Sequence, residues 1–322
     1  MASLSRPIQP RATRSHLPDL AFRGGTRIVA AGIVVLLASI AVMLVLSSTQ
    51  TWSTFGLSFL TGTTWDPVAG IYGALPFIVG TLVTAALAMV VATPIGLLTA
   101  IFLAELAPRW LAVPLGFLVE LIAAIPSVVI GLWGVFVLSP FLRSTVEEWL
   151  AKTIGTSVPL FAGPTFGVGI FTAGVILAIM VLPTIVSVSR EVIAAVPNSQ
   201  REAMLALGAT RWEMVTKAVL PFARSGIVGA VILGLGRALG ETMAVTMVVG
   251  NSPHVPTGLF DQGQTIASQI ATTFNEASIG LQTSSLIALG LTLLLMTIGL
   301  NVIARLLVRR VAGDGVGMAT GG

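Results

Sequence analysis

Residues 201–221 read REAMLALGATRWEMVTKAVLP, and this polar stretch interrupts a chain that otherwise avoids charge. Five of its 21 residues are Arg, Lys or Glu, whereas charged residues make up only 9% of the 322-residue chain. The chain is 55% hydrophobic and its mean hydropathy is +0.98. Such values are typical of proteins embedded in a lipid bilayer, so we expect the polar stretch to lie where the chain meets water.

Six apolar runs surround this stretch, and each is long enough to cross a bilayer as a helix, which takes about 20 residues. The regular alternation of a membrane-spanning strand is absent from the sequence. The predicted spans are 28–47, 75–103, 119–140, 166–189, 224–250 and 284–304. The predicted fold class is therefore an all-α integral membrane protein with six transmembrane helices.

The basic residues predict how these helices are oriented. Fourteen of the 17 Lys and Arg residues fall on one side of the six spans, and the opposite side has only Arg143 and Lys152. Basic loops tend to stay in the cytoplasm, so both termini and the 201–221 stretch are predicted to be cytoplasmic. The tail 1–27 is predicted to be disordered, and 309–322 is predicted to form a second cytoplasmic tail. Contact of these loops with anionic lipid explains the net charge of +4 without a nucleic-acid partner.

Local signals within the polar stretch predict two short helices. Ser199 with Glu202 and Thr210 with Glu213 have the spacing of capping boxes. Gly208 falls between the two helices, where the chain needs a residue that tolerates the left-handed conformation. The loop at about 197–221 is therefore predicted to be an ordered structure.

The first of these helices has a small apolar face formed by Ala203, Ala206 and Leu207. One interpretation is that this face docks into a groove on another protein. The other is that the helical pair lies on the membrane surface and only joins two spans. Local signals leave both interpretations open.

Two of the predicted spans carry small residues at every fourth position, which lets helix backbones approach closely in lipid. In the second span these are Gly80, Thr84, Ala88, Ala92, Gly96, Ala100 and Ala104, and in the fifth they are Gly226, Ala230, Gly234 and Ala238. The rows predict close packing of crossing helices. They indicate nothing about the function.

The polar stretch resembles the EAA loop of ABC-importer permeases, whose pattern is EAA, three residues, G, nine residues, I, one residue and LP. Glu202, Ala203 and Gly208 match it, as do Leu220 and Pro221. The chain departs from the pattern with Met204 at the third small position and Ala218 at the Ile position, and the spacing is unchanged. The resemblance implies that Glu202, Ala203, Ala206, Leu207 and Gly208 couple the chain to a separate ATPase.

A longer resemblance, over about 70–308, is to PstC-type permeases of phosphate importers. It is carried by PFIVGTLVTAALAMVVATPIGLLTAIFLAELAP at 76–108, AAIPSVVIGLWGVFVLSP at 123–140 and LGLGRALGETMAVTMVVGN at 233–251. It implies a type I ABC importer permease domain in a bacterial plasma membrane. The implied partners are a PstA-like second permease, two PstB-like ATP-binding subunits and a PstS-like phosphate-binding protein on the outer face. A permease for sulfate or molybdate, and a self-sufficient carrier or channel, are the alternatives.

Arg237 and Glu241 lie inside the fifth predicted span, four residues apart and therefore on one helical face. An Arg at the centre of a membrane helix costs about 2.5–3.5 kcal/mol on insertion scales, so charged residues there mark substrate pathways or structural ion pairs. We predict that the two form an ion pair, and the resemblance favours them as transport residues. Ser127 in the third span and Thr184 in the fourth are weaker candidates for the path, since such hydroxyls often bond to their own backbone.

Several kinds of site are absent from the sequence. The two lysines, Lys152 and Lys217, do not follow the glycine of a Walker A motif, so ATP and Mg²⁺ must be bound by a partner chain. The chain has no Cys, and its two His residues lie outside the spans without the spacing of a zinc site. We therefore expect a transporter subunit without catalytic residues, metal or cofactor of its own. Glu105 and Arg109 have the spacing of an interfacial ion pair.

Overall fold

The computed structural model describes residues 17–313, with side chains described from residue 22 to residue 306. Among these residues, six helices are long and apolar enough to cross a membrane. They are Phe22–Ser47, Leu75–Leu106, Ser127–Thr153, Ile170–Ala194, Arg211–Gly240 and Leu281–Leu306. The all-α prediction with six spans is confirmed.

Helix α1, Leu17–Ser47, belongs to a compact unit that ends at Leu46. Its described side chains are mostly exposed and apolar, as expected of a surface made for lipid. The helix begins ten residues before the predicted end of the disordered tail, so that prediction is wrong for residues 17–27. Residues 1–16 lie outside the described part of the chain.

The second unit begins with short elements that build an aromatic cluster. Helices α2, Thr49–Phe55, and α3, Ser58–Thr61, lead into strands β1, Trp65–Asp66, and β2, Ile71–Tyr72. The strands pair antiparallel with Trp65 opposite Tyr72. Trp65 contacts Tyr72 and Phe77 edge to face, at ring-centroid distances of 4.9 and 5.2 Å. This cluster packs the loop against the start of the next helix.

Helices α4, Leu75–Ile101, and α9, Ile170–Ala194, pack closely through the predicted row of small residues. A Cβ atom at Gly96 would lie 3.0 Å from Ile185 Cγ2, and one at Gly174 would lie 2.4 Å from Leu87 Cδ2. In the fifth span, a Cβ at Gly234 would lie 2.9 Å from both Val181 Cγ1 and Ile185 Cγ1 on α9. The helices approach closely because these positions lack side chains, which confirms the predicted packing role of both rows.

The chain between α4 and α9 does not follow the predicted third span, 119–140. Helix α5, Arg109–Ala124, ends before Pro126, because a proline removes a backbone donor and disfavours the helical conformation of the residue before it. Helix α6, Ser127–Trp133, then continues through α7, Ser139–Leu142, to α8, Glu148–Thr153. Turns of π-helix at 134–138 and 143–147 join these three segments. The span therefore begins at Ser127 and extends well past residue 140.

Glu147 at the end of this span was not predicted to be buried, yet it is only 2% exposed. Its Oε2 accepts from the Gly167 amide at 3.1 Å, and its Oε1 accepts from Thr172 Oγ1 at 3.2 Å. These bonds fasten the loop before α9 to the third span.

The fifth predicted span, 224–250, is wrong at both ends. Helices α10, Asn198–Ala206, and α11, Arg211–Met214, precede α12, Leu220–Gly240. A π-helical turn at 215–219 carries α11 into α12 without a break, so Pro221 does not mark a helix start. Glu241 is extended, and a separate helix α13, Met243–Val248, follows it.

The last two helices are α14, Ile266–Thr273, and α15, Leu281–Gly313. The fourth and sixth spans match the predictions 166–189 and 284–304 with ends shifted by a few residues. Helix α15 runs into the predicted tail 309–322, of which residues 314–322 lie outside the described part. The Thr81 hydroxyl accepts from the Ile266 amide at 2.9 Å, which places α14 beside the start of α4.

Candidate functional site

All five residues predicted to couple the chain to an ATPase are exposed. Glu202, Ala203 and Ala206 lie on α10, and Leu207 and Gly208 follow it directly. Leu207 is 84% exposed and Leu205 is 47% exposed, so apolar side chains of this loop point away from the bundle. The surface has the apolar character needed to dock into a groove on another protein.

The local structure of this loop confirms one predicted capping box and contradicts the other. Thr210 Oγ1 accepts from the Glu213 amide at 3.3 Å, and Glu213 Oε2 accepts from the Thr210 amide at 3.0 Å. Helix α10 begins at Asn198, directly after Pro197, so Ser199 lies inside its first turn and does not cap it. Gly208 has φ of +84°, as predicted for a residue between two helices.

Met204 is half-buried and points away from the exposed face of α10. It packs against a buried cluster that includes Ile193, Val196 and Val215. Its long side chain therefore anchors the helix to the ends of α9 and α11, where a small residue would leave the contact unfilled. The departure from the EAA pattern at this position has a packing reason.

Arg201 fixes α10 to the rest of the bundle. Its Nη2 donates to Glu105 Oε1 at 2.7 Å and to the Ile193 carbonyl at 2.9 Å, and its Nε donates to Glu105 at 3.1 Å. The Arg201 and Glu105 side chains are 16% and 5% exposed. The predicted pairing of Glu105 with Arg109 is therefore wrong, because the carboxylate turns toward α10. The ends of α4, α9 and α10 meet here, and we call this the coupling end of the bundle.

Arg237 lies near the end of α12 and is half-buried. Its Nη1 donates to Thr184 Oγ1 on α9 at 3.1 Å. The structure thus brings together two of the predicted path residues from separate helices.

The predicted ion pair between Arg237 and Glu241 does not form. Among the described residues no ion pair joins Arg237 to Glu241, whereas Lys152 pairs with Glu148, Arg201 with Glu105 and Lys217 with Glu213. The physical reason is that α12 ends at Gly240, so Glu241 no longer lies one helical turn above Arg237. Glu241 Oε1 instead accepts from the Ala244 amide in the first turn of α13, at 3.4 Å.

A cleft of about 570 Å³ opens beside Arg237. Helices α9, α12 and α15 supply its walls. The lining residues are Thr184, Gly229, Ile232, Leu233, Gly236, Arg237, Asn301 and Arg305. Asn301 and Arg305 are not among the site residues predicted from the sequence, because nothing local to α15 indicates that its side chains face those of α9 and α12.

Ser127, the fourth predicted path residue, does not line this cleft. It is the first residue of α6, directly after Pro126, and is half-buried. Helix α6 packs on α13, and a Cβ at Gly131 would lie 2.6 Å from Met247 Sδ. Ser127 therefore belongs to the helix that contacts α13, whereas Arg237 and Thr184 belong to the cleft. Within the described side chains, no group of three or more His, Asp or Glu residues is arranged to hold a metal.

Comparisons with known proteins identify a family. A family model described as "Binding-protein-dependent transport system inner membrane component" matches residues 92–313. The chain is 47% identical, over 96% of its own length and 98% of the relative's, to the "Phosphate transport system permease protein PstC" of Pasteurella multocida. It is also 47% identical to the protein of the same name from Mesorhizobium japonicum, with 92% of each chain covered.

Solved structures share the fold. One is a bacterial alginate ABC transporter in complex with its periplasmic protein, with a TM-score of 0.59, 15% identity, and 94% of this chain and 99% of that chain covered. Another is the MetNI methionine ABC transporter in inward-facing conformations, with a TM-score of 0.50, 20% identity, and 75% of this chain and 94% of that chain covered. At these low sequence identities, the structural likeness shows the fold alone.

Proposed function

Because the chain belongs to the family of inner membrane components of binding-protein-dependent transport systems, we propose that it is the PstC-type permease subunit of an ATP-driven phosphate importer. The observation that supports phosphate as the substrate is the 47% identity to proteins named as PstC over nearly the whole chain. The fold is that of type I ABC importer permeases, and the chain is a multi-pass protein of the plasma membrane. As a permease subunit, it is not itself an enzyme.

The coupling loop supports the proposed dependence on a separate ATPase. Helix α10 offers an exposed apolar surface while Met204 and Arg201 fasten it to the bundle. Because α10 is held in this way, a displacement of this helix by a docked partner would also move α4 and α9. We propose that this end faces the cytoplasm, where PstB-like subunits would bind ATP and Mg²⁺.

The translocation path is proposed to run past Arg237 and Thr184. A guanidinium has five N–H donors and keeps its charge at every physiological pH. Among the described side chains Arg237 uses one donor, on Thr184, and its other donors could hold an oxyanion in the cleft. The Glu241 carboxylate accepts from the Ala244 amide at the start of α13, so it does not neutralise the positive charge of Arg237.

The other half of the path is proposed to come from a PstA-like permease, and phosphate to arrive on a PstS-like binding protein at the end opposite α10. The loops at that end include the α2–β2 segment, the 163–169 loop and the 252–265 loop. These three loops contain no Lys or Arg, and the first exposes the apolar side chains of Leu57 and Val68, which suits docking of a partner protein.

The test is reconstitution of the complex in proteoliposomes. Co-expressed permeases, PstB-like ATPase and PstS-like protein should take up radiolabelled phosphate when ATP is enclosed with the ATPase, and sulfate or molybdate should not compete. Omission of the ATPase should abolish uptake. Uptake by this chain alone at the full rate would show a self-sufficient carrier, and uptake of sulfate in preference to phosphate would show a different substrate.

A further inference from the structure

Helix α15 adds two unassigned residues, Asn301 and Arg305, to the cleft that contains Arg237. They are four residues apart and therefore lie on one face of the helix. Helix α15 starts beside α14, away from the coupling end, and runs toward that end, whereas α12 runs the opposite way. Arg305 thus lies nearer the coupling end than Arg237. The cleft extends from one arginine to the other.

The charged side chains that line the cleft are all positive. Two guanidinium groups line it, and its lining includes no carboxylate. Within the described part of the chain Arg305 has no hydrogen bond or ion pair, and Arg237 bonds only to Thr184. Arg305 is exposed and Arg237 is half-buried, so both guanidinium groups face the open cleft. Two like charges on one cleft create a positive potential that attracts an anion.

Asn301 has a polar atom with no partner. Its Oδ1 is buried and accepts no hydrogen bond from the described residues, which costs stability. Rotation about the last side-chain bond exchanges Oδ1 and Nδ2, so the amide can present a donor to a bound ligand. An unsatisfied buried amide beside a positively charged cleft is readily explained by a ligand-binding role.

Two glycines keep the cleft open. A Cβ atom at Gly229 or Gly236 would have no other heavy atom within 4 Å, unlike the glycines that α12 uses to pack on α9. These positions therefore contribute space to the cleft instead of close helix contact. A volume of about 570 Å³ accommodates an oxyanion together with water.

We propose that Asn301 and Arg305 form the α15 half of an oxyanion-binding site that Arg237 and Thr184 complete from the other side. This inference rests on the proposed function and extends it, because it places a second cationic contact between Arg237 and the coupling end. The ligand chemistry is a phosphate group with at least two free oxygens. Its source is either the transported phosphate or the headgroup of an anionic phospholipid.

The first experiment measures phosphate uptake by the reconstituted complex. Arg305→Gln should lower the turnover of uptake roughly tenfold, since hydrogen bonds to a charged group are lost, and Arg305→Lys should retain part of it. The KM should change little if the PstS-like protein determines substrate capture. Lys152→Gln removes an exposed basic residue elsewhere and is the matched control, with uptake expected to stay at the wild-type rate.

Two further variants, with one matched control, separate binding from folding. Gly236→Leu should fill the cleft and lower uptake, whereas Gly299→Leu, at a position on α15 that is equally open but outside the lining, should not. Asn301→Leu should lower uptake while raising the melting temperature, because the unpaired amide is removed. A purely structural role for Asn301 predicts a lower melting temperature instead.

The second experiment identifies the source of the phosphate group. Native mass spectrometry of the complex from phosphatidylglycerol or phosphatidylcholine nanodiscs should show phosphatidylglycerol retained by the wild type and lost in Arg305→Gln if a lipid occupies the site. Reduced uptake without a change in retained lipid assigns the site to transported phosphate. Unchanged uptake and unchanged lipid retention in Arg305→Gln, Asn301→Leu and Gly236→Leu would overturn the inference. If the wild-type complex takes up no phosphate, the proposed function is wrong, and the lipid measurement still tests the cleft.

Discussion

Arg201 Nη2 lies 2.7 Å from Glu105 Oε1, and this ion pair joins two parts of the chain that are 96 residues apart. Arg201 also donates to carbonyls at the end of α9, including that of Ile193. Because both side chains are largely buried, neither charged group can readily exchange its partner for water. It is therefore a rigid joint between the coupling helix α10 and helices α4 and α9.

The first prediction concerns this joint. Glu105→Gln should destabilise the coupling end by about 3–5 kcal/mol, because removing one partner leaves a buried charge uncompensated. Thermal unfolding of the purified complex measures the loss. The exchanged pair, Glu105→Arg with Arg201→Glu, should recover part of it. The matched control is Glu148→Gln, which breaks the exposed Glu148–Lys152 pair and should change stability by less than about 1 kcal/mol. Equal losses in both variants would show that burial of the joint has no energetic importance.

The second prediction separates docking from folding at the coupling surface. Leu207 is 84% exposed and contributes little to the packed core, so Leu207→Asp should leave the melting temperature of the permease unchanged. Co-purification of the PstB-like ATPase should fall sharply, because a charge replaces an apolar contact in the docking face. Wild-type recovery of the ATPase would contradict the assignment of this surface.

The third prediction uses Gly208 at the same surface. Its φ of +84° lies in the left-handed region, which is unfavourable for residues with a Cβ atom. A Cβ atom built at this position would have no other heavy atom within 4 Å. Gly208→Ala should therefore cost about 1–2 kcal/mol through backbone strain alone. Gly229→Ala, at an equally open position with an ordinary helical φ, is the control and should not destabilise the protein. A harmless Gly208→Ala would mean that the turn adopts another conformation.

The sequence predicted those features that depend on local composition. Six apolar runs of sufficient length identified the spans, and the small-residue rows identified the packing faces of α4 and α12. The errors at 119–140 and 224–250 arose where Pro126 and the extended Glu241 end helices inside apolar stretches. Hydropathy does not register such breaks, because the residues on both sides are equally apolar.

The site was harder to predict because its contacts join distant residues. Thr184 and Arg237 were each found as polar residues within a span, but their hydrogen bond connects two helices. Glu105 was assigned to Arg109, its neighbour on the sequence, and instead binds Arg201. Asn301 and Arg305 gave no local signal at all, since the end of a membrane helix often carries polar residues.

The fourth prediction concerns the 252–265 loop, which precedes α14 and contacts the start of α9, and its dependence on pH. Burial raises the pKa of Asp261, but hydrogen bonds from the Thr257 hydroxyl and from the Gly258 and Thr257 amides outweigh it, so the pKa lies below its ordinary value of 3.8. A carboxyl group with a lowered pKa stabilises the folded loop above pH 3.8, and this contribution is lost as the pH falls through the lowered pKa.

Asp261→Asn should therefore destabilise the loop by about 2 kcal/mol at neutral pH and leave its stability less dependent on pH in the acid range. Amide hydrogen exchange at residues 257–261 measures both effects. The carbonyl of Asp261 accepts from the Ile170 amide, so faster exchange is expected to reach the first turn of α9. Asp66→Asn, at a turn that does not contact α9, is the control. If amide exchange at residues 257–261 is as slow in Asp261→Asn as in the wild type, the charge of Asp261 does not stabilise the loop.

The last prediction tests which partner Arg237 has. The hydrogen bond to Thr184 predicts that Arg237→Gln and Thr184→Val are coupled, so their combined effect on stability should differ from the sum by about 0.5 kcal/mol or more. Glu241 instead bonds to the Ala244 amide beyond the end of α12, so Arg237→Gln and Glu241→Gln should be additive within about 0.5 kcal/mol. Phosphate uptake should fall on the order of 100-fold in Arg237→Gln and only a few-fold in Thr184→Val, because the first removes a charged donor and the second a neutral hydroxyl. Strong coupling between Arg237 and Glu241 would restore the ion pair that the sequence predicted and show that α12 extends past Gly240 in the membrane.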